Sequence, residues 1–330
     1  MPAPTRPAFS LPLAGTVPEQ RDLARRDEAL GYRDVWLAET AGPDAFALAT
    51  LVAEATSALR IGTCVVPVYT RSPAVLAAAA GTVSQVAGPG RFVLGLGASS
   101  PAIVDDWSGV PFDAPLTRVR ETVEVVRRML AGEKVEFRGK TVRSRNFRLG
   151  SPPAGPVPIW LAAQRPMMAR LAGELGDGGV CTNFIPAAAV PRLLTEVRAG
   201  AAAAGRDASQ IEVVARLSTI VTDDKQAGFD LLRGFFGAYL ATPVYNPFLA
   251  WCGFEDEARM IREGWAAKDR AKTAAGVTDT IIDQVAIVGD VAECKDKLAR
   301  FVEAGITVPM LNPIAADAAS AALVLEALAP

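Results

Sequence analysis

The sequence predicts a (β/α)8 TIM barrel, and three observations carry that prediction. Strand-like and helix-like segments alternate along almost all of the 330 residues. Arg60 to Pro101 reads strand, helix, strand, with a crossover long enough to require a parallel sheet. Eight strands follow this pattern, and extra segments interrupt it only after the fourth and the seventh.

Ala8–Leu13 is the first strand; Pro7 and Pro12 break up the apolar run around it, which argues against a signal peptide. Pro18–Gly31 is a helix with a glycine stop, Asp34–Ala38 is strand two, and Pro43–Thr56 is its helix. Ile61–Val66 is strand three. Ser72 then caps a helix that starts at Pro73, runs through alanines to Val86 and stops at Gly88-Pro89-Gly90. Arg91–Leu96 is strand four, and Ala98-Ser99-Ser100 is a loop at its carboxyl end. An irregular stretch from Pro101 to Pro115 leads into a strongly periodic helix, Leu116 to Leu130. Val135–Phe137 and Thr141–Arg143 read as a hairpin, and Pro152, Pro153 and Pro156 mark a surface connection.

Val157–Ala162 is strand five, Pro166–Leu175 its helix, Gly179–Thr182 strand six, Ala187–Ala204 a helix and Ile211–Val221 strand seven. From Asp223 to Asp283 the pattern is mostly helical and rich in aromatic residues, Phe235 to Phe254 among them. These aromatics are either helix-packing core or an apolar wall to a substrate pocket. Val291–Ala304, Thr307–Leu311 and Ala315–Leu328 complete the alternation as helix, strand and helix. The expectation is one domain over residues 1–330, with insertions at about 101–156 and 223–283. Both insertions lie on strand-to-helix connections, the side of a barrel where chemistry gathers.

Composition narrows the chemistry. With 34 basic and 36 acidic residues the formal charge is −2, which argues against a nucleic-acid footprint. No apolar run is long enough to span a membrane, and the chain is expected to be cytoplasmic. There is no histidine, so a Ser-His-Asp triad, a Cys-His pair and a His-ligated metal are all excluded. Cys64, Cys181, Cys252 and Cys294 are far apart and form no CxxC; they read as reduced thiols. The chemistry is therefore expected to come from a cofactor. Gly95-Leu96-Gly97 starts like a dinucleotide fingerprint, but Ser100 stands where its third glycine belongs, and there is no Walker A sequence.

Five segments in order carry a resemblance that covers nearly the whole chain: LGYRDVWLAE (Leu30–Glu39), LRIGTCVVPVYTRSP (Leu59–Pro73), GRFVLGLGASSP (Gly90–Pro101), VPIWLAAQRPMMARLAGELGDGG (Val157–Gly179) and VGDVAECKDKLARFVEAGI (Val288–Ile306). The chain resembles the bacterial luciferase-like flavin and deazaflavin oxidoreductases, above all the coenzyme F420-dependent branch that includes methylenetetrahydromethanopterin reductase. The resemblance implies hydride transfer between the deazaflavin C5 and a small organic substrate. It also implies a non-proline cis peptide at Cys64-Val65 backing the ring, and ring contacts from Ala98, Ser99 and Ser100. The phosphate is expected at Ala163-Gln164-Arg165, where free N–H groups open a helix, with Thr182 adding a hydroxyl.

Strand two departs from the family pattern. Many F420-dependent relatives end it with an Asp-His pair; here it ends in Glu39-Thr40, which leaves Glu39 as a candidate acid or base, a hydrogen-bond partner of the cofactor or a structural carboxylate. Asp105-Asp106-Trp107 reads as a piece of lid with solvated carboxylates, and Arg71 as a loop arginine that is solvated or faces an acidic cofactor tail. The alternatives are an FMN-dependent monooxygenase of the same superfamily, supplied with reduced FMN by a partner reductase, and a cofactor-free scaffold barrel. A homodimer is expected, the apolar second and third helices suiting its interface.

Overall fold

The structure is a computed structural model that describes residues 5–13, 15–181, 183–315 and 317–330. Its main sheet contains strands β1 (Ala8–Ser10), β2 (Asp34–Leu37), β3 (Arg60–Thr63), β4 (Phe92–Gly97), β5 (Ile159–Ala162), β6 (Gly178–Cys181), β7 (Glu212–Val221) and β8 (Val308–Pro313). Each pairs in parallel with the next, and β8 pairs with β1, so the sheet closes into the predicted eight-stranded barrel. The helices begin where the sequence places cap chemistry. Ser72 accepts from the Val75 N–H ahead of Pro73–Ala87, and Asp44 accepts from Phe46 and Ala47 ahead of Ala45–Ala55. The helix Val291–Glu303 starts with a capping box built from Asp290 and Glu293.

The lower barrel is filled and charged. Arg60 donates to Asp34 and, through two nitrogens at 2.9 and 2.6 Å, to Glu212, while Arg6 Nε reaches Asp34 at 2.7 Å. All but Arg6 are first residues of barrel strands, so the cluster plugs the amino-terminal end. Above it Trp36 and Trp160 meet with ring centroids 5.0 Å apart. They fit because a Cβ at Gly62 or Gly178 would lie 2.3 Å from a tryptophan ring. Large residues on two strands are matched by absent side chains on two others. The barrel is therefore open for chemistry only above this layer.

Two features differ from the sequence reading. Ala286–Gly289 is a strand, and it pairs in parallel with the upper half of β7, Ser218 with Ala286 through to Val221 with Gly289. Only four residues long and entered directly from the helix Asp279–Val285, it carries no turn chemistry to announce it. The loop after β4 continues as a π-helix, Ala102–Asp106, where irregular coil is expected. The hairpin expected after Pro115–Leu130 forms, from Val135–Arg138 and Arg143–Phe147, its second strand starting at Arg143 where the predicted one, Thr141–Arg143, ends. Glu121 holds its turn by accepting from the backbone N–H groups of Lys140, Thr141 and Val142.

The aromatic insertion is mainly core. Phe236 and Phe248 are buried, and Phe229, Leu232, Phe236 and Ile261 build a second hydrophobic cluster around Phe184. Phe235 and Tyr239 stand at its exposed edge. Among the described residues, no helix is long and apolar enough to cross a membrane.

Asp27, on the helix Val17–Ala29, is 0% exposed and neither carboxylate oxygen has a hydrogen-bond partner. Burial pushes its pKa from 3.8 up to about 7, against the opposing charge of Arg26 at 3.7 Å. The folded chain thus holds this proton more tightly than the unfolded chain. The associated stability is complete below the unfolded pKa and is lost as pH rises through the folded one. From about pH 5 to pH 8 the wild type should lose about 2 kcal/mol more than Asp27→Asn, from urea unfolding at both pH values. Parallel pH profiles for the two proteins would refute this.

Candidate active site

Most of the residues expected to form the site lie at the carboxyl ends of β3, β4 and β5. β3 ends at Thr63, and the following Cys64-Val65 peptide bond is cis, where the resemblance places it. The chain then resumes pairing at Val66–Pro67, against Leu96 and Gly97 of β4. Two glycines of β4 seat this bulge. A Cβ on Gly95 would lie 1.7 Å from the Thr63 carbonyl oxygen, and one on Gly97 would lie 2.7 Å from Val65 Cγ2 and 2.9 Å from Ala162 Cβ. Thr63 Oγ1 bridges the same contact, accepting from Gly95 N at 2.8 Å and donating to Gly95 O at 2.9 Å. Gly95-Leu96-Gly97 is therefore a bed for the bulge, which accounts for its failure as a dinucleotide fingerprint.

In the loop after β4, Ala98 is buried, while Ser99 and Ser100 are half-buried. Ser99 holds φ at +67°, the left-handed region, which a non-glycine residue keeps only where its surroundings hold it there. Ser100 O accepts the Val104 N–H in an α-type turn that leads into the π-helix, whose five-residue bond runs from the Trp107 N–H to Ala102 O. Asp105 and Asp106 are exposed and Trp107 is 60% exposed, in keeping with solvated carboxylates.

After β5, Ala163 is buried and donates its N–H to Val180 O at 2.8 Å. Gln164 Nε2 donates to Asn183 O at 3.2 Å. Arg165 is exposed at the N-cap of Pro166–Leu175, a helix start with no side-chain cap. Its first N–H groups therefore remain available to an anion. Thr182 lies outside the described residues. Its neighbour Asn183 is buried with Oδ1 unpartnered, and Phe184 follows at φ +75°.

Glu39 is held in the manner of a structural carboxylate. Arg71 grips both of its oxygens, Nε and Nη2 each at 2.9 Å, and also contacts Asp44, the cap of Ala45–Ala55. The Arg71 guanidinium lies 4.9 Å over the Phe46 ring. Arg71 is thus neither a solvated loop residue nor free to meet a cofactor tail. Glu39 instead ties the loop after β2 to the loop after the bulge, with both oxygens engaged.

The inner wall holds polar residues that sequence reasoning missed. Ser10, Arg216 and Asn312 form a chain in which Asn312 Oδ1 accepts from Ser10 Oγ at 2.7 Å and from Arg216 Nη2 at 2.8 Å. Arg216 Nε, Ser218 Oγ and Trp36 Nε1 are buried without a partner. The available signal is phase: polar residues at alternate positions near the carboxyl ends of apolar strands point into the barrel. Opposite them, burial pushes the Cys64 thiol up to about 11, with Arg216 pulling it back. Cys64, Cys181, Cys252 and Cys294 are all free thiols.

Residues 3–308 match the model of the family described as luciferase-like monooxygenase. A 5,10-methylenetetrahydromethanopterin reductase from Methanolobus tindarius is 30% identical over 287 residues, 86% of this chain and 86% of the relative. The solved structure of the coenzyme F420-dependent tetrahydromethanopterin reductase from Methanopyrus kandleri has a TM-score of 0.83 at 23% identity, covering 99% of this chain and 98% of its own. An F420-dependent secondary alcohol dehydrogenase in complex with an F420-acetone adduct has a TM-score of 0.81 at 21% identity, covering 98% of this chain and 99% of its own. At these identities the two structures speak to the fold.

Proposed function

The chain belongs to the luciferase-like monooxygenase family, and we propose that it is a coenzyme F420-dependent oxidoreductase acting on a small organic substrate. The observation that carries this reading is the pair Gly95 and Gly97, whose missing side chains seat the Cys64-Val65 bulge above a filled lower barrel. The residues present fit such a cofactor. The inner wall offers buried, unpartnered polar atoms on Trp36 and Ser218 to a polar ring, and the uncapped start of Pro166–Leu175 offers N–H groups to a phosphate. When bound, F420 supplies hydride transfer at C5 of its deazaflavin ring.

In this reading Cys64 and Val65 back the ring, and Ala98, Ser99 and Ser100 border it. Ala163, Gln164 and Arg165 hold the phosphate, with Thr182 assigned to the same anion. Glu39 acts through Arg71 as a positioning residue for the loops beside the bulge, a role its engaged oxygens favour over proton transfer. Residues 1–330 are read as one domain, the chain as a cytoplasmic homodimer, and sedimentation of the purified protein tests the dimer.

Titration with F420 and separately with FMN, followed by quenching of tryptophan fluorescence, tests the cofactor. Trp36 and Trp160 lie inside the barrel and report on its mouth. The expected result is micromolar or tighter binding of F420 with no saturable binding of FMN. Preference for FMN would replace this reading with a monooxygenase using reduced FMN and oxygen. Binding of neither would favour a scaffold barrel.

A further inference from the structure

We infer that Arg216 anchors an anionic oxygen of the organic substrate, so that this enzyme takes small oxyanion-bearing compounds, carboxylates first among them. The inference rests on the reading that a planar cofactor lies against Cys64-Val65.

Strand phase sets the direction of the side chain. Glu212 meets Arg60 inside the lower barrel and Val214 packs in the interior cluster with Trp36 and Cys64, so Arg216, two residues further along β7, also faces inward. In a closed ring of eight strands, β7 stands opposite β3. Arg216 thus faces the Cys64-Val65 bulge across the mouth. A ring backed by the bulge turns its free side toward this wall, and the substrate belongs between them.

Charge sets the ligand. Two other arginines at the barrel are each bound to two carboxylates: Arg60 to Asp34 and Glu212, Arg71 to Glu39 and Asp44. Arg216 has no ion pair among the described residues; its recorded bond is to the neutral Asn312 Oδ1, and its Nε is buried without a partner. A half-buried guanidinium whose Nε is sealed from water and unpaired calls for a counter-charge. Its planar array of donors suits the paired oxygens of a carboxylate. Asn312, itself held by Ser10, fixes one end of the guanidinium and leaves Nε unused.

The test uses the wild type, Arg216→Lys and Arg216→Met, each with and without bound F420, and the probes benzoate and acetate against benzamide and acetamide. Calorimetry on F420-loaded wild type should show each carboxylate binding about tenfold or more tightly than its amide. The preference should vanish in Arg216→Met and survive weakened in Arg216→Lys, with the F420 dissociation constant changed by less than about threefold. Equal binding of acid and amide by the wild type, or a preference that persists in Arg216→Met, overturns the inference. A collapse of F420 affinity in Arg216→Met, with an unchanged melting temperature, also overturns it by assigning the guanidinium to the cofactor. If the wild type binds no F420 yet still prefers the carboxylates through Arg216, the cofactor reading fails and the anion site stands.

Discussion

Replacing Arg60 with alanine should lower folding stability by about 3–5 kcal/mol, because it leaves the fully buried Asp34 carboxylate without its main partner. Arg6 remains, but it reaches Asp34 through one nitrogen from the partly exposed rim of the plug. The loss also strips Glu212 of both hydrogen bonds and Trp160 of a guanidinium 5.0 Å from its ring. Urea unfolding of the wild type, Arg60→Ala and Arg60→Ala/Asp34→Asn measures the effect. The double variant should recover part of the loss, since an amide tolerates burial better than a lone carboxylate. A loss below about 1 kcal/mol in the single variant would mean that water reaches Asp34 and the plug is not sealed. F420 affinity should be unchanged at denaturant-free conditions, because the Trp36–Trp160 layer separates the plug from the mouth.

Gly97→Ala should act in the opposite way, on binding more than on folding. The new methyl would sit 2.7 Å from Val65 Cγ2 and 2.9 Å from Ala162 Cβ, so the bulge must move. Overpacking of this kind costs about 1–3 kcal/mol, and displacement of the ring's backing should weaken F420 binding about tenfold or more. Adding Val65→Ala removes the side chain in conflict and should restore much of the affinity. Unaltered F420 affinity in Gly97→Ala would show that Val65 does not back the ring.

How much of this was legible depended on the range of each signal. Strands such as Phe92–Gly97 and Ile159–Ala162 stand out because parallel strands buried on both faces read as short apolar runs between turn residues. The helix start at Ser72 was legible because cap and first turn are neighbours in sequence, whereas the second helix, read from Pro43, starts only after its cap Asp44. The cis bond at Cys64-Val65 came from the family resemblance, since no local chemistry marks it. The pairing of Glu39 with Arg71 was hidden: the two lie 32 positions apart and meet only when β2 and β3 align. Arg216 was hidden for another reason. Within an apolar strand its meaning depends on which alternate residues point inward, and that phase is set by the closed sheet. The strand Ala286–Gly289 fell below the length at which period distinguishes strand from helix.

The pairing of β7 with Ala286–Gly289 bears on how this barrel could change its diet. The chain leaves β7 at Val221 for five helices and returns at Ala286, and the last pair of the ladder joins Val221 to Gly289. Thr222 N adds a bond of 2.8 Å to Gly289 O at the same place. Departure and return are thus joined on one strand, while the helices between them are also held by Phe236 against Phe184 and by Arg192 donating to Trp251 O. A segment of different length or sequence, spliced between Thr222 and Ala286, would meet the same clasp without asking any barrel strand to shift. Exchange of this segment, with its packing on Phe184 kept, is expected to change the surroundings of the barrel mouth while the strands stay in place.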